Sequence, residues 1–214
     1  MPSARQEARR FLYPLYFVAI VLLILSAFWS WALYAFILVA IAAAYVAYFF
    51  RDPERAVPKD PSIIVAAADG LVVGVEEMDE PDFKLGRMRR IAVFLSVFDV
   101  HVNRSPVAGR VKTTFHRPGA FLDVRHPDSS TRNEFRAWLI ETPHGPVAVR
   151  QIAGLVARRI VAWATHGSAL ARGERFGMIR FGSRTEVFLP LDCIILVKPG
   201  DRVAGAQTPI ARWP

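Results

Sequence analysis

The sequence predicts a mainly β protein, a sandwich- or barrel-like domain preceded by an N-terminal hydrophobic helical hairpin. Three observations lead there. No charged residue occurs in the forty positions from Phe11 to Phe50. Beyond them, short apolar runs are punctuated by Asp-Gly, Pro-Gly and Gly-Ser pairs, the pattern of strands joined by turns. Only one later stretch, Ile152 to Trp163, places apolar residues at helical spacing, with Arg158 and Arg159 on the other side.

At 214 residues the chain has room for one domain and an appendage. Its hydrophobic share of 53% is high because of the uncharged stretch, and the remainder carries most of a net charge of +8. Such a balance calls for an anionic partner, and beside a membrane segment anionic lipid comes before nucleic acid. Cys193 is the only cysteine, which excludes an intramolecular disulfide framework and a cysteine metal cluster.

Forty residues of helix at about 1.5 Å each span about twice a hydrocarbon core, so two passes are expected. Ser26-Ala27-Phe28-Trp29-Ser30-Trp31 supplies the turn, its tryptophans suited to an interface. A re-entrant hairpin dipping into one leaflet is the structural alternative. Arg5, Arg9 and Arg10 precede the segment and Arg51 and Arg55 follow it, which puts both ends in the cytoplasm. The expected division is residues 1–50 as membrane-anchoring hairpin and 51–214 as catalytic domain.

After Arg51-Asp52-Pro53-Glu54-Arg55, Pro58 and Pro61 make a stiff exit. Ile63 to Ala68 and Leu71 to Val75 read as strands, and Asp69-Gly70 between them as a hairpin turn. Glu76 to Arg90 is polar and reads as a loop. Ile91 to Ser96 is a buried strand ending at a polar cluster that contains His101. A lone histidine there is more often a satisfied structural residue than a catalyst. His116, His126, His144 and His166 fall in expected loops, none at metal-ligand spacing. Trp138–Thr142 and Pro146–Arg150 form a hairpin across Pro143-His144-Gly145. Ile194 to Val203 closes the domain as a strand with a turn at Gly200.

Between Met178–Phe181 and Thr185–Leu189, two alternating runs, stands Gly182-Ser183. Gly-Ser is ordinary turn chemistry, yet it also sets a hydroxyl beside a carbonyl that glycine allows to be twisted.

Four strings occur in order: Phe49-Phe50-Arg51-Asp52-Pro53, Ala67-Ala68-Asp69-Gly70, Asp99-Val100-His101-Val102-Asn103-Arg104-Ser105-Pro106 and Phe181-Gly182-Ser183-Arg184. Gln151-Ile152-Ala153-Gly154 and Gly173-Glu174-Arg175-Phe176-Gly177 join them. Together, over residues 49 to 210, they resemble the phosphatidylserine decarboxylase family in its short bacterial and archaeal form. The resemblance implies that Ser183 attacks the Gly182 carbonyl, with His101 as base and Asp69 orienting it. Cleavage then yields chains 1–182 and 183–214, which stay together as a heterodimer, and converts Ser183 into a pyruvoyl group.

That group would form a Schiff base with phosphatidylserine and accept the electrons released with carbon dioxide, without pyridoxal phosphate or metal. His101 would reprotonate the product carbon. Longer members carry a second histidine where this chain has Arg104, which is available, like Arg51, to contact the lipid phosphate or carboxylate. The implied setting is the cytoplasmic side of the cell inner membrane, with phosphatidylserine and anionic lipid as partners, no nucleic acid, and a homo-oligomer allowed. A membrane-tethered serine esterase using Ser183, His101 and Asp69 is the competing reading. A biotinyl- or lipoyl-type carrier hairpin at Gly200-Asp201 fails because Lys198 precedes the turn instead of capping it.

Overall fold

The computed structural model describes residues 3–126, 128–155, 159–180 and 182–214. The chain divides into two compact units, Met1–Pro53 and Glu54–Pro214.

In the first unit, α1 (Ala4–Leu25) and α2 (Ser30–Phe49) form an apolar hairpin, the two helices being 22 and 20 residues long. Each is long and apolar enough to cross a membrane. Ala8, Ala19, Ala32 and Ala43 are buried. Such small side chains let two helices approach closely. Phe17, Ile24, Tyr34 and Leu38 stay exposed. Phe11 and Phe50 stack at the open end, ring centroids 5.6 Å apart.

The second unit is antiparallel β. In chain order its elements are β1 (Ile63–Val65), β2 (Gly70–Asp79), β3 (Arg87–Leu95), β4 (Val102–Arg104), β5 (Gly109–Arg117), a single turn α3 (Ser129–Arg132), β6 (Phe135–Thr142) and β7 (Gly145–Ala153). Then come β8 (Ile160–Ala162), β9 (Ala169–Leu170), β10 (Arg175–Ile179), β11 (Ser183–Leu189), β12 (Ile194–Ile195), β13 (Arg202–Val203) and β14 (Pro209–Arg212). Among the described residues, the large sheet runs β13-β2-β3-β11-β7-β6-β5-β9, and the smaller sheets run β1-β14-β12 and β4-β10-β8. Register shifts between Val72 and Gly74, and between Val111 and Thr113, bend strands of the large sheet.

Period-two alternation fixes which face each residue takes. On one face Ile91, Val93, Leu95, Trp138, Ile140, Val149 and Val187 join the main core. On the other, Phe135, Ala137 and Ile152 pack with Val124, while Met88, Ala148 and Phe188 form a second patch. Ser183 and Thr185 share the main-core face of β11 with Val187, and Arg184 and Glu186 take the opposite face with Phe188.

The expected β domain, helical hairpin and β6–β7 hairpin are present, the last closing at Thr142 and Gly145. Several local expectations are corrected. Ile152 and Ala153 end β7 and Ile160–Ala162 form β8, so no helix runs from Ile152 to Trp163; residues 156–158 lie outside the described residues. The expected loop from Glu76 to Arg90 is confined to residues 80–86, because Glu76 faces Arg90 and Glu77 faces Arg89 as opposite-charge pairs between β2 and β3. Asp69-Gly70 closes no hairpin: β1 pairs with β14, and β2 with β3 and β13. His116 lies in β5, its Nε2 3.0 Å from Glu134 Oε1.

Candidate active site

The site forms where the chain leaves the small β4-β10-β8 sheet and enters the centre of the large one. Gly182-Ser183 makes that passage, so it is a crossing between sheets and not a hairpin turn. Phe181 lies outside the described residues. Ser183 begins β11 and is flanked on both sides, by Leu95 of β3 and Ala153 of β7. Gly182 has φ +67°, a left-handed conformation that glycine adopts without strain.

His101 precedes β4, which pairs with β10, and its carbonyl accepts the Ile179 N–H at 3.2 Å. That pairing brings the fully buried imidazole to Gly182. His101 Nδ1 lies 2.9 Å from the Asp99 carbonyl oxygen, and Nε2 lies 3.2 Å from the Gly182 nitrogen. A carbonyl oxygen only accepts, so Nδ1 carries the proton. Nε2 then presents its lone pair to the Gly182 N–H. Both contacts require the same neutral tautomer, the form able to take a proton at Nε2. The Asp99 side chain stiffens this turn by accepting from the Ser96 N–H at 2.8 Å and the Ser96 hydroxyl at 2.7 Å.

Ser183 is fully buried, and its Oγ has no hydrogen-bond partner among the described residues. On the same face of β11, Gln151 donates to the Asn103 side-chain oxygen, and Thr185 Oγ1 is 3.5 Å from that oxygen. Asn103 Nδ2 and Gln151 Oε1 are also buried without a partner there. Leaving such atoms unmet is costly unless chemistry needs them. A reactive oxygen-bearing group at residue 183 fits this polar lining.

The Gly182 carbonyl oxygen lies over Gly154. A β-carbon at Gly154 would stand 2.4 Å from that oxygen, whereas one at Gly182 would meet only Val97 Cγ1, at 3.9 Å. The two glycines therefore have different causes, close approach at Gly154 and backbone conformation at Gly182.

Behind the strand, Arg184 is tied down by the Val124 carbonyl at 2.8 Å, by Ser130 Oγ and by Glu186 at 3.1 Å. Glu186, fully buried, also accepts from Arg90 at 2.9 Å. Arg150 lies over the Phe135 ring at 3.7 Å and faces Asp82 at 3.3 Å. Burial pushes the Asp82 carboxyl up to about 6 despite the opposing pull of Arg150. Burial likewise lowers the guanidinium pKa of Arg150 and of Arg184.

The other sequence-predicted residues are placed differently. Asp69 pairs with Arg55 at 2.6 Å and accepts the Gly205 N–H at 2.7 Å, and the contact at His101 Nδ1 is the Asp99 carbonyl. Arg104 is buried in β4, with Nη1 3.2 Å from the Gly173 carbonyl. Arg51 belongs to the first unit, stacked over Tyr48 at 3.8 Å. Among the described residues no His, Cys, Asp and Glu group is placed to hold a metal ion. The Asp99 carbonyl and the clearance at Gly154 escaped sequence reasoning. Only the Gln151–Gly154 string pointed near the second.

The fold is thus an antiparallel β protein in which a buried serine stands at a sheet-to-sheet crossing, and a histidine from the segment before β4 reaches the glycine that precedes it. Residues 42–211 match the family model described as phosphatidylserine decarboxylase. The chain is 48% identical over 204 residues to the phosphatidylserine decarboxylase proenzyme of Symbiobacterium thermophilum, covering 94% of each chain. It belongs to the phosphatidylserine decarboxylase family, whose members are carboxy-lyases.

Proposed function

We propose that this protein decarboxylates phosphatidylserine to phosphatidylethanolamine at a membrane surface, after cutting itself between Gly182 and Ser183. The observation that carries the reading is the His101 lone pair at the Gly182 amide, next to a buried serine hydroxyl that has no partner among the described residues. In the cut, Ser183 Oγ attacks the Gly182 carbonyl carbon while His101 Nε2 takes the hydroxyl proton. The carbon–nitrogen bond breaks, an ester to Oγ forms, and the Ser183 nitrogen receives a proton.

Removal of the Ser183 α-proton next expels the Gly182 carboxylate and leaves a dehydroalanine. Water then displaces ammonia, giving a pyruvoyl group at the start of chain 183–214. That group supplies a carbonyl that accepts the electron pair released when carbon dioxide leaves. His101 holds the proton that the product carbon needs, and Asn103 and Gln151 offer polar contacts beside residue 183. Pairing of β11 with β3 and β7 keeps the two chains together after the cut.

In this reading Asp69 acts by position, holding Arg55 and the Gly205 backbone. The hairpin anchors the enzyme in the cell inner membrane, and the arginines at its ends keep the catalytic unit on the cytoplasmic side. An esterase reading fits less well, because it needs substrate to reach an intact serine in the uncut chain, where Ser183 is fully buried, whereas attack on the adjoining Gly182 carbonyl needs no access from outside.

The test is release of labelled carbon dioxide from vesicles containing carboxyl-labelled phosphatidylserine. The protein is expected to release it and Ser183→Ala is expected to release none; equal release by both would reject the role of Ser183.

A further inference from the structure

The open end of the hairpin contains a cleft of about 560 Å³. Its walls are Arg5, Ala8, Arg9, Leu12 and Tyr13 from α1, and Ala47, Phe50, Arg51, Asp52 and Pro53 at the end of α2. Ligand pockets of about 300–1,000 Å³ are common.

The lining is divided in character. Arg5 and Arg9 stand one helical turn apart, and Arg51 joins them from the other helix. Arg51 is held in place by its stack over Tyr48 at 3.8 Å and its bond to the Tyr48 carbonyl at 3.0 Å. Leu12, Tyr13 and Phe50 supply an apolar wall on the side of the helices. Three guanidiniums against the single carboxylate of Asp52 leave the site cationic. Guanidinium forks match phosphate oxygens in pairs. A ligand that satisfies both parts carries a phosphate joined to a hydrocarbon chain.

We infer that this cleft binds one anionic glycerophospholipid, its phosphate on Arg5, Arg9 and Arg51 and the start of an acyl chain along Leu12, Tyr13 and Phe50. This rests on the hairpin lying in the membrane, as proposed above. The helix ends then fall at headgroup depth, where anionic lipid is concentrated. A bound lipid would fix the hairpin's depth and rotation at the face where substrate lipid is drawn. Free phosphate would satisfy the arginines and leave the apolar wall unused.

The test uses the full-length protein in phosphatidylcholine nanodiscs doped with a photoactivatable analogue of phosphatidylglycerol or of phosphatidylcholine. Phosphatidylglycerol has no serine carboxyl to lose, so occupancy is read apart from turnover. Labelling of residues 5–13 or 47–53 by the anionic analogue should exceed that by the zwitterionic one by on the order of tenfold. Unlabelled phosphatidylglycerol should compete, and inorganic phosphate should not. The combined Arg5→Gln, Arg9→Gln and Arg51→Gln variant should lose the preference, and the corresponding lysine variant should keep most of it.

Equal labelling by both analogues, or an unchanged preference in the glutamine variant, would overturn the site. Displacement by inorganic phosphate as effective as by lipid would make it a free-anion site and overturn the lipid assignment. Absence of label from residues 11–49 with either analogue would overturn the membrane placement along with the site, and the carbon dioxide assay would still judge the decarboxylase reading.

Discussion

The carbonyl oxygen of Gly182 lies so close to the α-carbon of Gly154 that a β-carbon there would stand 2.4 Å from it. The peptide proposed for cleavage is therefore positioned by the absence of a side chain on the neighbouring segment. Gly154→Ala must push the Gly182 carbonyl away from the path of Ser183 Oγ. Overpacking of this kind costs about 1–3 kcal/mol in stability, and misplacing a reacting carbonyl costs on the order of 100-fold in rate. Gly154→Ala should thus remain folded and accumulate uncut chain, read as the precursor fraction over time on a denaturing gel. Wild-type processing in a folded Gly154→Ala protein would contradict this.

The ion pair of Asp69 with Arg55 yields a second prediction. If Asp69 acts by position, Asp69→Ala and Arg55→Ala should slow self-cleavage by similar factors, each far less than His101→Ala. Loss of the partly buried pair should cost about 1–3 kcal/mol in denaturant unfolding. Should Asp69→Ala block cleavage as completely as His101→Ala while Arg55→Ala has no effect, Asp69 serves the imidazole directly and the positional role is wrong.

Asp82 gives a pH dependence. Its carboxyl titrates near 6 in the folded protein, above the ordinary 3.8. Between those values the folded state holds more protons than the unfolded state, so this group's contribution to stability falls as pH rises from about 4 to 6. Asp82→Asn removes the titration. Relative to wild type it should gain up to about 3 kcal/mol on going from pH 4 to pH 7. Paired unfolding curves at the two pH values measure this, and a difference that does not change with pH would mean that Asp82 titrates normally.

Features written in local pattern were legible in the sequence. The uncharged stretch gave the hairpin, and two alternating runs around Pro143-His144-Gly145 gave β6 and β7. Features set by distant partners were not. Glu76, Glu77, Arg89 and Arg90 look like loop residues until β2 and β3 are paired and their charges face each other. Ile152 falls at helical spacing with later residues, yet it lies across from Arg184 in β11. Ser183 and His101 were singled out through motif strings. The group on His101 Nδ1 was not, because a backbone carbonyl has no signature in sequence and Asp69 was the nearest carboxylate by motif.

The central claim is that the chain makes its own reactive group at residue 183, and intact-mass analysis of the purified protein tests it most directly. The account predicts two chains, 1–182 and 183–214, the second lacking a free amino terminus and lighter than its unmodified sequence by the mass difference between a serine residue with a free amine and a pyruvoyl group. Ser183→Ala should give one uncut chain. A single full-length wild-type chain that still releases carbon dioxide from phosphatidylserine would contradict the account.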